Sequence, residues 1–282
     1  MISIDGDILD IGSFPDSTIL FRYAVKGTQK ANHAKIVWEY ENDREFLALI
    51  YLVKHLRNNE VKDIYLYMPY IPNARMDRVK NPDDIFTLKY FAELLNSLNF
   101  TRVEVLDPHS SVSEALINNL YIHTPKGNIQ TVLDKIGVKS RVCIDPMNFL
   151  EEPKTEFSLT IFYPDEGAQK RYSGMVNLPY AFGIKKRNWE TGNIEGLDVA
   201  GAADQIVGRD ILIVDDICSR GGTFLHSAKK LKELGAKDIY LYISHCENTI
   251  LEGELLTSGL IKKVYTTDSI FTKSHELIEV LK

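Results

Sequence analysis

The stretch Ile211–Phe224, ILIVDDICSRGGTF, decides how this chain is read. Ile211 to Val214 are four apolar residues in a row, the composition of a strand buried on both faces. Asp215 and Asp216 then place two carboxylates where that strand emerges. Adjacent carboxylates repel, so a fold keeps them together only beside donors or cations. Gly221 and Gly222 permit positive φ, which a side chain resists. From Thr223 onward, FLHSAKKLKELG has helical spacing, with Phe224, Ala228, Leu231 and Leu234 on one face. The backbone N–H groups of Arg220 to Thr223, at a helix start, form a concavity for an anion. Thr223 adds a hydroxyl and Arg220 a cation. Carboxylates ahead of such a cradle suit a sugar phosphate: the acids accept from ribose hydroxyls while the amides hold the phosphate. No GxxxxGK[ST] string occurs, which excludes the nucleotide P-loop.

Outward from this stretch, short apolar runs alternate with helical ones. Residues 45–59, 86–98 and 224–235 have helical periodicity; 63–70, 102–109, 158–167, 210–216 and 238–245 read as strands and their ends. This alternation predicts an α/β fold with mainly parallel sheets flanked by helices. The string KDIYLY occurs twice, at Lys62–Tyr67 and Lys237–Tyr242, each time after a helical segment. The echo predicts two related α/β domains, 1–135 and 136–282.

Composition sets broad limits. The 282 residues are 44% hydrophobic and 26% charged, as in ordinary globular proteins. A net charge of -6 argues against a nucleic-acid partner. Three cysteines without CxxC spacing fit a reducing compartment better than a disulfide framework. No apolar run is long enough for a bilayer and the first residues lack a signal-peptide pattern, so a cytoplasmic protein without a membrane partner is expected.

Three strands end in acids. RVEVL runs into Asp107-Pro108-His109, LTIFY into Pro164-Asp165-Glu166-Gly167, and ILIV into Asp215-Asp216. Ligands of open α/β sheets bind beyond the carboxyl ends of strands, which marks Asp107, His109, Asp165, Asp215 and Asp216 as candidates. A single Asp after a strand more often caps a turn or helix, and a lone His is more often structural. The adjacent pair before Gly-Gly-Thr resists that reading. Cys218, within the loop, reads as a small filler.

At these residues the chain resembles the ribose-phosphate diphosphokinases, which make phosphoribosyl diphosphate from ATP and ribose 5-phosphate. The resemblance runs in order from about Phe14 to Ile270. FPDS (14–17) is similar to the family's adenine-binding FxDGE, and PYIPNARMDR (69–78) to PYxxYARQDR. LDPH (106–109) resembles VDLH, YPDEGAQKR (163–171) resembles SPDxGGxxRA, and IKKR (184–187) aligns with the DKRR of a catalytic flexible loop. VDDICSRGGT (214–223) resembles the ribose-phosphate loop VDDxxDTGGT, a motif shared with phosphoribosyltransferases generally. The resemblance implies two phosphoribosyltransferase-like domains, Mg²⁺ as cofactor and a homo-oligomer. Phe14, Asp16, Arg75, Asp77 and His109 are then expected at ATP. His109 and Asp165 are expected at the metal, with Asp107 orienting His109. Asp215, Asp216, Ser219, Arg220, Gly221, Gly222 and Thr223 are expected at the ribose phosphate, and Lys185 and Arg187 at the transferring group. A structural ion pair is the other reading of Asp77 with Arg78, and a solvated surface cluster the other reading of 185–187.

Four departures stand out. The first strand–helix unit reads as truncated, Thr18 and Met76 replace Glu and Gln of the family motifs, and Ser219-Arg220 replaces an acid-Thr pair. The last change leaves room for an acceptor larger than ribose 5-phosphate, such as ADP-ribose. A phosphoribosyltransferase and a non-catalytic regulatory homologue are the remaining alternatives.

Overall fold

The computed structural model describes residues 1–25, 32–138, 140–143, 154–187 and 194–281. The chain divides by packing into two units, Met1–Thr124 and Pro125–Lys282.

The first unit contains β1 (Ile2–Ile4), β2 (Asp7–Ile8), β3 (Ile11–Ser13), β4 (Ile19–Phe21), β5 (His33–Trp38), α1 (Asp43–Asn58), β6 (Asp63–Tyr67), α2 (Thr87–Asn96), β7 (Arg102–Leu106), α3 (Val112–Leu116) and β8 (Leu120–His123). Its main sheet has the order β2-β1-β5-β6-β7-β8, while β3 and β4 form a separate hairpin. Strands β5 to β8 are parallel and follow chain order. All their crossovers therefore advance in one direction. Right-handed crossovers advancing one way place their helices on one face. Leu49, Leu52 and Leu56 of α1 and Leu88, Phe91 and Leu95 of α2 accordingly share one core with Ile36, Ile64, Leu66 and Val103 of the strands. Helix α1 is fixed at its start by Asn42, whose side chain accepts from the Arg44 N–H at 3.1 Å, with Asp43 and Glu45 in the first turn favoured by the helix dipole.

The second unit contains α4 (Lys126–Ile136), β9 (Ser140–Cys143), β10 (Lys154–Phe157), β11 (Leu159–Tyr163), α5 (Glu166–Tyr172), β12 (Tyr180–Arg187), β13 (Ile194–Gly201), β14 (Asp210–Cys218), α6 (Gly222–Glu233), β15 (Ile239–Cys246), β16 (Lys263–Thr267) and β17 (Ile278–Leu281). Helix α4 buries Ile129, Val132 and Leu133 with Leu159, Ile161 and Tyr163 of β11, so packing assigns it to this unit. The dividing point thus lies N-terminal to the 135/136 boundary expected from sequence.

The large sheet has the order β13-β12-β11-β14-β15-β16-β17, with only β13 antiparallel to its neighbour. From β11 the chain crosses to β12 on one side, and β14 then lies on β11's other side. The direction of crossover reverses there, and helices fall on both faces. α6 packs with Ile211, Ile213, Ile239 and Leu241, whereas α4 and α5 pack with Leu212, Val214, Tyr240 and Tyr242. Such a reversal opens a crevice beyond the carboxyl ends of β11 and β14, the place where open α/β sheets bind ligands.

Two local expectations need correction. Strand β14 runs through both acids to Cys218, because Asp215 and Ile217 keep ladder register with Ile243 and His245 of β15. The 184–187 segment, expected in a loop, belongs to β12 and pairs with β13, with a register shift between Lys186 and Arg187.

Candidate functional site

Past the end of β11 and in the last residues of β14 the second unit carries three acids. Asp165 follows β11 and N-caps α5, accepting from the Ala168 N–H at 3.1 Å. Asp216 is 5% exposed, and its Oδ2 lies 3.3 Å from Nη1 of Arg171, at the end of α5. Asp215 accepts from the Asp216 N–H at 3.0 Å. Burial, then the neighbouring charge of Asp216 and more weakly that of Asp165, hold the Asp215 carboxyl well above the usual carboxylate range. Carboxylates with one adjacent guanidinium can accept from vicinal hydroxyls.

The glycine turn follows. Gly221 has φ +79 and caps α6; a Cβ there would stand 2.8 Å from Leu255 Cδ2, so glycine is required twice over. Gly222 begins the helix, and of the two glycines only Gly221 uses the left-handed region. A Cβ on Gly253 would stand 1.9 Å from the Arg220 carbonyl oxygen, so the backbone after β15 presses directly against the turn. The first N–H groups of α6 follow directly on the turn, an arrangement of donors that can face an anion, and Thr223 lies in its first turn.

The side chains ahead of the cradle are engaged. Ser219 Oγ donates to Glu247 Oε2 at 2.7 Å, Thr249 Oγ1 donates to the same oxygen at 3.0 Å, and Arg220 Nη2 donates to Glu252 Oε2 at 3.0 Å. Beneath them, Cys218 and Cys246 are buried neighbours across β14 and β15. A hydrogen bond to Cys246 and burial push the Cys218 thiol up, together with the charges of Cys246, Glu247 and Asp215. This is the behaviour of an inert filler, as expected from sequence.

The first unit groups a second set. Asp77 is 4% exposed and receives both arms of Arg78, at 2.7 and 2.8 Å. The Arg78 hydrogen bonds, with the charge of Arg78 beside them, lower its carboxyl to about 2 against the opposing effect of burial. Asp77 and Arg78 therefore form a bidentate ion pair with the carboxylate side buried. The ion-pair reading of Asp77 agrees with this geometry. Arg75 is exposed nearby in the chain, and Asp107, buried, adopts φ +40. At the tip of the β3–β4 hairpin Phe14 is 49% exposed. Asp16 accepts from the Thr18 hydroxyl and N–H at 2.7 and 3.0 Å, which lowers its carboxyl.

The backbone of Lys185 and Arg187 lies in β12; their side chains are outside the described residues. Arg171, Glu247 and Gly253 were not singled out from sequence. Glu247 carried a usable signal, an acid directly after a strand, like Asp165. Arg171 carried one as well, as the last residue of the YPDEGAQKR motif, whereas Gly253 carried none, because its partner is distant in the chain. Among the described residues no group of three or more His, Cys, Asp or Glu is arranged to hold a metal, and no helix is long and apolar enough to cross a membrane.

No family model matches the chain. The ribose-phosphate pyrophosphokinase of Bradyrhizobium diazoefficiens is 27% identical over 230 residues, 79% of this chain and 65% of that protein. The enzyme of the same name from Bacillus subtilis is 27% identical over 246 residues, 85% of this chain and 70% of its own. That of Aquifex aeolicus is 26% identical over 277 residues, 96% and 82% of the two chains. The chain thus spans just under two thirds of the length of the first of these relatives. Among solved structures, phosphoribosylpyrophosphate synthetase from Mycobacterium smegmatis superposes with a TM-score of 0.75 at 16% identity, covering 97% of this chain and 85% of the other. That similarity establishes the fold.

Proposed function

A divergent relative of the ribose-phosphate pyrophosphokinases, this chain is, we propose, a diphosphokinase: it transfers the β,γ-diphosphoryl group of ATP to the anomeric hydroxyl of a ribose phosphate, releasing AMP. The acid pair followed by the Gly221 turn, at the reversal point of the second sheet, is the observation that carries this reading. Asp215 and Asp216 accept from the ribose hydroxyls and so orient the anomeric oxygen. The N–H groups of Ser219 to Thr223 hold the 5′-phosphate. The anomeric oxygen attacks the β-phosphorus, the bond from that phosphorus to the α,β-bridging oxygen breaks, and AMP leaves with the electron pair. Positioning and cations around the spreading charge account for most of the catalysis in such transfers. Lys185 and Arg187 supply that positive charge. Phe14 stacks on adenine, and Arg75 contacts the ATP phosphates with Asp16 and His109 alongside. Asp77 is tied to Arg78 and acts by holding this segment in place.

Mg²⁺ fits the donor types here. In the second unit Asp165, whose charge acts on Asp215, offers a carboxylate oxygen of the kind Mg²⁺ takes, and an ion that keeps most of its water would need few further protein ligands; His109 would serve the Mg-ATP side, directly or through water. When bound, Mg²⁺ neutralises charge on the phosphate oxygens. We place the protein in the cytoplasm, as a homo-oligomer, on the same family grounds.

The test is mass spectrometry of the products after incubation with Mg-ATP and ribose 5-phosphate, with ADP-ribose as a second acceptor. Equal amounts of AMP and a diphosphorylated acceptor are expected. Formation of ADP, or consumption of phosphoribosyl diphosphate with a nucleobase and no AMP from ATP, would overturn the reading.

A further inference from the structure

Glu247 has a place in the fold that neither the strand pattern nor the acid pair accounts for. It follows Cys246, the last residue of β15, and its N–H donates to the Cys218 carbonyl at 2.8 Å. That bond ties it to the residue immediately before the glycine turn. Its Oε2 then accepts from Ser219 at 2.7 Å and from Thr249 at 3.0 Å, and the two hydroxyls lie 3.3 Å apart. A carboxylate is therefore fixed at the first residue of the anion cradle by two hydroxyls and a backbone bond. Ser219 turns its hydroxyl toward that carboxylate. Five residues later Glu252 holds Arg220, and both of these side chains are largely exposed. A surface pair of this kind is weak, so Arg220 can exchange partners at small cost.

A fixed negative charge beside a phosphate site is a filter. A terminal phosphate monoester carries about -1.5 to -2 near neutral pH, because its second pKa is about 6. A phosphate esterified on both sides carries a single charge. The repulsion from Glu247 therefore weighs more heavily on the monoester. A diphosphate diester also brings a second phosphate, which Arg220 can meet on leaving Glu252.

Resting on the ribose-phosphate reading above, we infer that Glu247 is a specificity-determining residue of the acceptor loop. It disfavours a terminal 5′-phosphate dianion relative to a 5′-phosphodiester. The acceptor class is then a ribose whose 5′-phosphate is joined to a further group, with a nucleoside diphosphate ribose as the plainest member.

Glu247→Gln keeps the size of the side chain and an oxygen acceptor while removing the charge. The two probes are ribose 5-phosphate and ADP-ribose, titrated calorimetrically into wild type and variant and assayed kinetically at fixed Mg-ATP. The variant is expected to bind ribose 5-phosphate about three- to tenfold more tightly, the size of one screened charge interaction, and ADP-ribose within about twofold of wild type. KM for ATP stays unchanged. Thr249→Val removes one hydrogen bond to Glu247 and keeps its charge; it leaves the ratio of the two acceptor affinities as in wild type. Equal changes for both acceptors in Glu247→Gln, or none, overturn the inference, as does a shifted ratio in Thr249→Val. If either acceptor yields AMP while the ratio fails to move, the diphosphokinase reading stands and Glu247 alone loses its role. If neither acceptor binds or reacts, the ribose-phosphate reading falls with it.

Discussion

The chain contains the same hexapeptide twice, and the two copies live in different surroundings. In β6, Asp63–Tyr67, residues alternate between buried and half-exposed, with Tyr65 and Tyr67 on the more open side. In β15 every residue from Ile239 to Cys246 is buried, including Tyr240 and Tyr242, at 8% and 0% exposure. Local sequence does not distinguish them; the direction of the crossovers does. The first sheet advances one way, so its helices join one core. The second reverses at β11, and helices cover both faces. The same reversal opens the crevice in which Asp165, Asp215 and Asp216 meet. Burial of the second KDIYLY and the position of the candidate site thus have one topological origin.

The contrast can be broken most forcefully at the tyrosines. Tyr242→Ala removes a fully buried ring and is expected to cost about 3–5 kcal/mol. Tyr67→Ala, on the half-exposed side of β6, is expected to cost about 1–2 kcal/mol. Denaturant titration of both variants checks this, and equal losses would remove the topological explanation. A strand on the far side of the reversal supplies the next test. Lys185→Ala on β12 is expected to lower kcat about a hundredfold or more, as loss of one charge-stabilising group does, while KM for ATP stays nearly constant. Steady-state kinetics with the working acceptor reads both values.

The acids sharpen the contrast between the units. Asp77 is held low by Arg78, so its contribution is present above the ordinary Asp value of about 3.9 and disappears as pH falls towards about 2. Asp77→Asn is expected to destabilise by about 1–2 kcal/mol at pH 7. Asp215 is held high by burial and by Asp216, so its ionisation costs stability above the ordinary value and nothing below it. Asp215→Asn is therefore expected to stabilise the fold by about 0.5–1.5 kcal/mol at pH 7 while weakening acceptor binding. That gain should shrink to nothing as pH falls towards about 4. Thermal denaturation across this range gives the sign directly, and a loss of stability in Asp215→Asn would contradict the repulsive picture. The smallest effect is expected at Arg220. Arg220→Thr should move the ratio of kcat/KM values towards ribose 5-phosphate by about threefold, since the Glu252 pair it breaks is exposed. An unchanged ratio would remove Arg220 from acceptor choice.

Much of the second unit was legible in the residues. ILIV read as a buried strand, Gly221-Gly222 as a turn free for positive φ, of which only Gly221 uses it, Phe224, Ala228, Leu231 and Leu234 as one helix face, of which Leu234 is the C-cap, and Asp165 as an acid at a strand end; each is a local pattern with a local cause. The extension of β14 to Cys218 was not legible, because the ladder with β15 outweighs the poor strand propensity of two adjacent Asp residues. The strand role of Ile184 to Arg187 was equally hidden, since its partner β13 lies beyond the 188–193 stretch. Arg171 lay at the end of the YPDEGAQKR motif, but its pairing with Asp216, 45 positions away, and that of Gly253 with Arg220, 33 positions away, are contacts that no short pattern encodes. Glu247 is the instructive omission: it directly follows a strand as an acid, but the strand was read as ending at His245, so the rule that marked Asp165 was not applied to it.

The central claim is that the acid pair and glycine turn of the second unit hold the acceptor. Calorimetric titration of Asp216→Asn and wild type with ribose 5-phosphate, with ADP-ribose and separately with Mg-ATP tests it most directly. The account predicts that whichever acceptor binds wild type binds the variant at least about tenfold more weakly, the cost of a lost charged hydrogen bond, while ATP affinity is unchanged. Undiminished acceptor affinity in the variant, or a loss confined to ATP, would contradict it.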